Sequence, residues 1–267
     1  MPPPLPAKPG PGPPRRAGGL ACWESPNPLL LFRWFTSQLF PKVLGHGIIK
    51  AIRCSCNNYI GDQTMRTLFL SSSGLNEENT KLFWKYIGKE PINAKAIMVP
   101  SAAVGNDGAR EGIIVCMERL MNMGIPIDNI LIYNLAFLLS NGYKRTYSSY
   151  IRDIPIQFRL MNAQELTRYD MIVFCGGDAR TLLSEVNRTG FSKPLKQAIE
   201  NGLVYLGISA GSMIAAGNFA DGLGYLENPL IPHGEKGSPY GALPKNDLIE
   251  LADGQTVLIR GECQEII

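Results

Sequence analysis

The chain has 267 residues, 45% of them apolar, and a formal net charge of +3. That length suggests one large domain or two small ones, and the apolar share suits a buried core. So small a charge does not favour nucleic acid as a partner, and the apolar runs fall short of the roughly 20 residues a spanning helix needs, so no membrane partner is expected either.

Charge is unevenly spread. Residues 1–61 hold seven Lys/Arg and a single acid, Glu24, whereas the remainder holds 19 basic and 22 acidic side chains. The opening "MPPPLPAKPGPGPP" favours extended polyproline conformations and cannot form a packed core. In "NPLLLFRWFTSQLF" Arg33 interrupts a short apolar run, and the segment lacks the order of a secretory signal. Residues 1–64 are therefore expected to be a disordered extension outside the folded unit, and residues 65–267 the domain.

Within that domain "RTLFLSS" (66–72), "AKAIMVPS" (94–101), "NILIYNL" (129–135), "YDMIVFCGG" (169–177) and "LVYLGIS" (203–209) are nearly continuous apolar runs. Such runs suit strands covered on both faces. Helical patterns separate them. "NEENTKLFWKYIG" opens with acids and stops at Gly88, "GAREGIIVCMERLMNMG" stops at Gly124, and "KPLKQAIENG" carries Pro194 near its start and Gly202 beyond its end. The alternation predicts an α/β fold, a three-layer αβα sandwich on a mostly parallel sheet. "GQTVLIRGECQEII" reads as a hairpin added at an edge. The Tyr- and Arg-rich stretch 138–160 reads as a solvated insertion, with a lid over substrate as the alternative.

The six cysteines show no disulfide-framework spacing. Cys54 and Cys56 form a C-x-C without a second pair, too little for a metal site. Cys116 and Cys175 read as buried thiols. A reducing, cytoplasmic setting is expected, with no metal and no cofactor.

Chemistry in parallel sheets gathers where strands end and helices begin. "GISAG" (207–211) follows an apolar strand and precedes a small-residue helix start, the pattern of a nucleophile elbow. Ser209 is the candidate nucleophile, and a tight turn of small residues is the structural alternative. A serine needs a base, and the chain has two histidines, His46 and His233. His46 lies in the extension, which leaves His233. The orienting acid is open among Asp221, Glu227, Glu235 and Asp247, with Asp221 or Glu227 favoured. "FCGGDAR" (174–180) ends the preceding strand, where Gly176 and Gly177 let backbone amides approach an oxyanion.

Together "FLSSSGL", "VPSAA", "FCGGDARTLL", "YLGISAGSMI" and "NPLIPHG" resemble, in order, the aspartyl dipeptidase (peptidase E) family of serine peptidases. The resemblance runs from about Met65 to the C-terminus. It implies a class I glutamine amidotransferase-like, flavodoxin-like fold, with Ser209 as nucleophile and His233 as base. It also implies an oxyanion hole from Gly176, Gly177 and Ala210, with Asp178, in place of the commoner asparagine, next to substrate. The segment between Ser209 and His233 is shorter than usual for the family, and aspartyl specificity does not carry over. The implied activity is hydrolysis of a small peptide or dipeptide through an acyl-enzyme, with homodimerisation left open. The alternative is a non-catalytic binding protein on the same fold. Glutamine amidotransfer is disfavoured because the elbow carries serine rather than cysteine.

Overall fold

The computed structural model describes residues 65–104, 109–138, 154–244 and 247–267. The expectations for residues 1–64, and for most of 138–160, lie outside them.

The five apolar runs become parallel strands: β1 (Thr67–Ser71), β2 (Ala96–Val99), β3 (Ile130–Ile132), β4 (Met171–Phe174) and β5 (Val204–Ile208). Successive side chains of a strand point to opposite faces, and both faces are covered here. Leu68 and Leu70 pack into one buried cluster while Phe69, between them, packs into the other. That is why no polar residue alternates with them in the sequence.

The helices divide between the same two clusters. α1 (Glu77–Ile87) and α2 (Ala109–Asn122) contribute Phe83, Cys116 and Leu120 on the Phe69 face, where Phe69 meets Phe83 edge-on at 5.1 Å. After the single turn α3 (Ala163–Leu166) come α4 (Ala179–Thr189), α5 (Ser192–Glu200) and α6 (Ala210–Ala215). They contribute Val186, Leu195 and Ile214 on the Leu68 face. α1 and α2 carry the chain toward β3, whereas α4 and α5 carry it back from β4 to β5. Crossovers of one hand running in opposite directions cover opposite faces, which makes the three layers.

Helix ends follow local chemistry. The Asn76 side chain accepts the Asn79 amide at the start of α1, and Gly88 closes it in the left-handed region at φ 69°.

The strand order is β3-β2-β4-β5-β1-β9-β10-β7, where β9 (Thr256–Arg260) and β10 (Cys263–Ile266) are the expected C-terminal hairpin. The hairpin is not itself the edge. β9 pairs antiparallel with β1, and β7 (Gly241–Ala242) lies beyond β10. A separate pair of β6 (Leu230–Ile231) and β8 (Ile249–Glu250) supports the loop that follows Ile231. The result is the expected α/β sandwich on a mixed sheet, with the C-terminal ends of β4, β5 and β1 side by side.

Candidate active site

The elbow is held by close packing beneath it. A Cβ built on Gly207 would stand 2.7 Å from the Gly211 carbonyl carbon, and one on Gly211 would stand 2.6 Å from Phe174 Cβ. Both glycines of the pentapeptide are thus needed for α6 to sit directly on β4 and β5. Gly211→Ala is expected to lower stability by about 1–3 kcal/mol through overpacking. Gly112→Ala on the exposed face of α2, where nothing lies within 4 Å of the new methyl, should stabilise by up to about 1 kcal/mol. Denaturant unfolding of the two variants checks the contrast.

Buried hydroxyls satisfy the elbow's backbone. Ser212 Oγ is 2.7 Å from the Ser71 carbonyl and 2.9 Å from that of Gly207, Ser71 Oγ donates to Gly207 O, and Tyr205 OH donates to Gly211 O. The Ser209 amide donates to Ser71 O at 3.1 Å. Ser209 itself sits at φ 49°, ψ −104°. Such a conformation costs about 1–3 kcal/mol in a residue with a Cβ and persists only where surrounding structure imposes it.

His233 at φ 61° is the other non-glycine residue with positive φ among those described. It lies just beyond β6, where the Gly234 amide donates to Leu251 O. Its Nε2 is 3.2 Å from Ser209 Oγ, and its Nδ1 is 2.9 Å from Asp253 Oδ1. The two strained residues thus touch each other.

The acid beside His233 is Asp253, which corrects the expectation of Asp221 or Glu227. Asp221 is exposed and accepts a hydrogen bond from Asn187 at 2.7 Å, and Glu227 is also exposed. Asp253 belongs to the tight turn 252–255, closed by the Gln255 amide on Ala252 O, which leads into β9. Because β9 pairs with β1, that turn stands over the end of β1. Buried Ser72 joins the two parts: its Oγ donates to Asp253 Oδ1 at 3.0 Å and accepts the His233 backbone amide at 2.8 Å. Burial pushes the Asp253 carboxyl up, but the hydrogen bonds from His233 and Ser72 outweigh it and hold the group below its ordinary value. Sequence reasoning missed both Asp253 and Ser72. The Asp-Gly pair ahead of "QTVLIR" signals a turn, but only strand pairing shows where the turn goes.

The Gly-Gly turn is next to the elbow, since β4 and β5 are paired neighbours. A Cβ on Gly176 would stand 3.5 Å from Ser209 Cβ. Gly177, at φ 138°, is pressed so closely on the Ala102 carbonyl that a Cβ would fall 2.3 Å from its oxygen. Ala210 supplies the first amide of α6, ahead of that helix's own hydrogen-bond ladder. Asp178, expected next to substrate, has its carboxylate engaged as the N-cap of α4, accepting the Thr181 amide at 2.6 Å. A cavity of about 510 Å³ opens beside the elbow on the α1–α2 side, lined by Ser73, Asn76, Cys116, Arg119, Met123 and Ile208 among others.

The family model for peptidase family S51 matches residues 157–233, a span that ends on His233 and contains Ser209. An uncharacterized peptidase of Pasteurella multocida is 39% identical over 64 residues, 24% of this chain and 30% of that protein. An uncharacterized peptidase of Listeria innocua is 31% identical over 106 residues, 39% of this chain and 49% of that protein. The matched stretch thus spans less than half the length of either relative. Among solved structures, a putative peptidase E protein from Listeria monocytogenes EGD-e is similar in fold. Its TM-score is 0.51 at 20% identity, over 76% of this chain and 98% of that one. A peptidase from an acI-B1 Actinobacterium gives 0.50 at 17%, over 77% and 89%. The family model and the two relatives thus match parts of this chain, and the two solved structures are similar to it in fold.

Proposed function

We propose that residues 65–267 form a serine-type peptidase that cleaves the amide of a small peptide or dipeptide through an acyl-enzyme. The observation that carries this reading is the contact between Ser209 and His233, both at positive φ, continued from His233 to Asp253. Strained residues persist only where the surrounding structure imposes them and they cluster at active sites, and here two of them touch.

In this reading Ser209 Oγ attacks the substrate carbonyl carbon while its proton passes to His233 Nε2. Asp253 accepts the Nδ1 proton of His233, which sets the ring's orientation and favours its charged form. Backbone amides of Gly176, Gly177 and Ala210 receive the oxyanion. His233 then returns the proton to the leaving amine, and a water activated by the same nitrogen releases the acid and restores Ser209.

No helix among the described residues is long and apolar enough to cross a membrane. A cytoplasmic location, a small peptide as substrate and self-association into a homodimer belong to the same proposal.

The test combines a fluorophosphonate probe with a dipeptide library, applied to wild type and Ser209→Ala. Wild type should take the label and hydrolyse some library members, and Ser209→Ala should do neither. A wild type that neither labels nor turns over any dipeptide favours a binding protein on this fold.

A further inference from the structure

The buried thiols Cys116 and Cys175 have no part in the proposed reaction. Cys116 lies on the covered face of α2, and Cys175 links β4 to the Gly176–Gly177 turn. They are 59 residues apart in the chain, yet their sulfurs are 2.8 Å apart, and both are free cysteines, 5% and 1% exposed. A disulfide bond is about 2.05 Å long, so joining them asks the sulfurs to close by less than about 1 Å. We propose that Cys116 and Cys175 are an oxidisable dithiol, and that their disulfide switches off the neighbouring site by displacing the Gly176–Gly177 turn.

Access comes from the cavity of about 510 Å³, whose lining includes Cys116 together with Arg119 and Ile208. The pair is also polarised. The Cys175 thiol donates to the Cys116 sulfur, which, with help from the Arg119 guanidinium, pulls Cys116 below its ordinary value against burial. The same bond and burial push Cys175 well up. Cys116 is the attacking sulfur, because it lines the cavity through which an oxidant arrives and Cys175 does not, and the thiolate is the nucleophile.

With a hydroperoxide as oxidant the atoms balance. The Cys116 thiolate attacks one peroxide oxygen, the O–O bond breaks, the other oxygen leaves as water or an alcohol with the proton that Cys116 gave up, and Cys116 becomes a sulfenic acid. The Cys175 sulfur then attacks the Cys116 sulfur, and hydroxide leaves with the Cys175 proton as water. With hydrogen peroxide, two thiols and one peroxide give one disulfide and two waters.

The position of Cys175 gives the bond its effect. Its amide is held to Val99 O, and the next residue is Gly176, which abuts Ser209. Gly177 has no slack against Ala102 O. Closure of the sulfurs therefore pulls on the residue that precedes the turn carrying the proposed oxyanion amides, and a turn without slack cannot follow that pull and keep its fit.

The effect on catalysis rests on the serine-peptidase reading, whereas the cross-link does not. The experiment treats reduced full-length protein with hydrogen peroxide. It maps cross-linked peptides by mass spectrometry and follows fluorophosphonate labelling of Ser209 and hydrogen exchange at residues 176–177. The expected result is a Cys116–Cys175 cross-link, with labelling falling about tenfold or more in step with it and returning with dithiothreitol. Cys116→Ala and Cys116→Ser should keep their labelling under peroxide. Three results overturn the proposal: no such cross-link, a cross-link with labelling unchanged, or an equal loss in both Cys116 variants. If reduced wild type takes no label, the peptidase reading fails, and the dithiol is decided by the mass map and by altered exchange at residues 176–177.

Discussion

Replacing His233 with alanine should lower kcat/KM for any dipeptide the enzyme cleaves by about 10³-fold or more, with fluorophosphonate labelling slowed in parallel. The serine hydroxyl is a weak nucleophile without a base, and the imidazole that contacts it at 3.2 Å is that of His233. In the proposed reaction the same ring protonates the leaving amine, so one truncation removes both proton transfers. The fold should be little changed, because the side chain is 53% exposed and fills no part of the core. Near-normal turnover in a folded His233→Ala protein would remove the residue from the mechanism.

The second expectation separates the acids. Asp253→Asn should reduce kcat by about 10²-fold, whereas Asp221→Asn should leave it within about twofold. An asparagine cannot stabilise the imidazolium and can hold the ring in the wrong tautomer. For a buried triad acid that change costs about 10⁴-fold. Asp253 is 65% exposed, so water shares the stabilisation and the smaller figure is expected. Because its hydrogen bonds hold the Asp253 carboxyl below its ordinary value, the carboxylate persists across neutral and mildly acid pH. Its contribution is fully present above the unfolded value of about 3.9 and is lost as pH falls through the lower folded value. A decline in activity that begins above pH 5 is then not due to Asp253. Steady-state kinetics of both variants over pH 4–8 tests the assignment, and equal losses in the two would refute it.

Much of this arrangement was legible in the chain. "TLFL", "AIMV" and "MIVF" show strands covered on both faces because every position is apolar, and Gly88 and Gly202 mark helix ends at positive φ. The elbow was legible because its pattern is local: Gly207 and Gly211 are needed within one strand–turn–helix, five residues long. His233 could be chosen by scarcity, since the chain has only two histidines.

Asp253 was not legible. Nothing near it in the chain distinguishes it from Asp221, which is closer to Ser209 in sequence and satisfies Asn187 instead. Asp178 shows a similar ambiguity, because a carboxylate after a Gly-Gly turn is also suited to capping the helix that follows, as it does here. Choosing between such readings depends on contacts between distant segments.

The sequence by itself therefore determined the layered α/β fold, the strand–turn–helix around Ser209 and the histidine with which it is paired. Those follow from periodicity, glycine positions and composition, which act over a few residues. Only the tertiary structure decided the third partner and the role of Ser72. The antiparallel pairing of β9 with β1 carries a turn 181 residues away onto Ser72. Backbone hydrogen bonds set that register, and they leave no trace in the local sequence around Asp253.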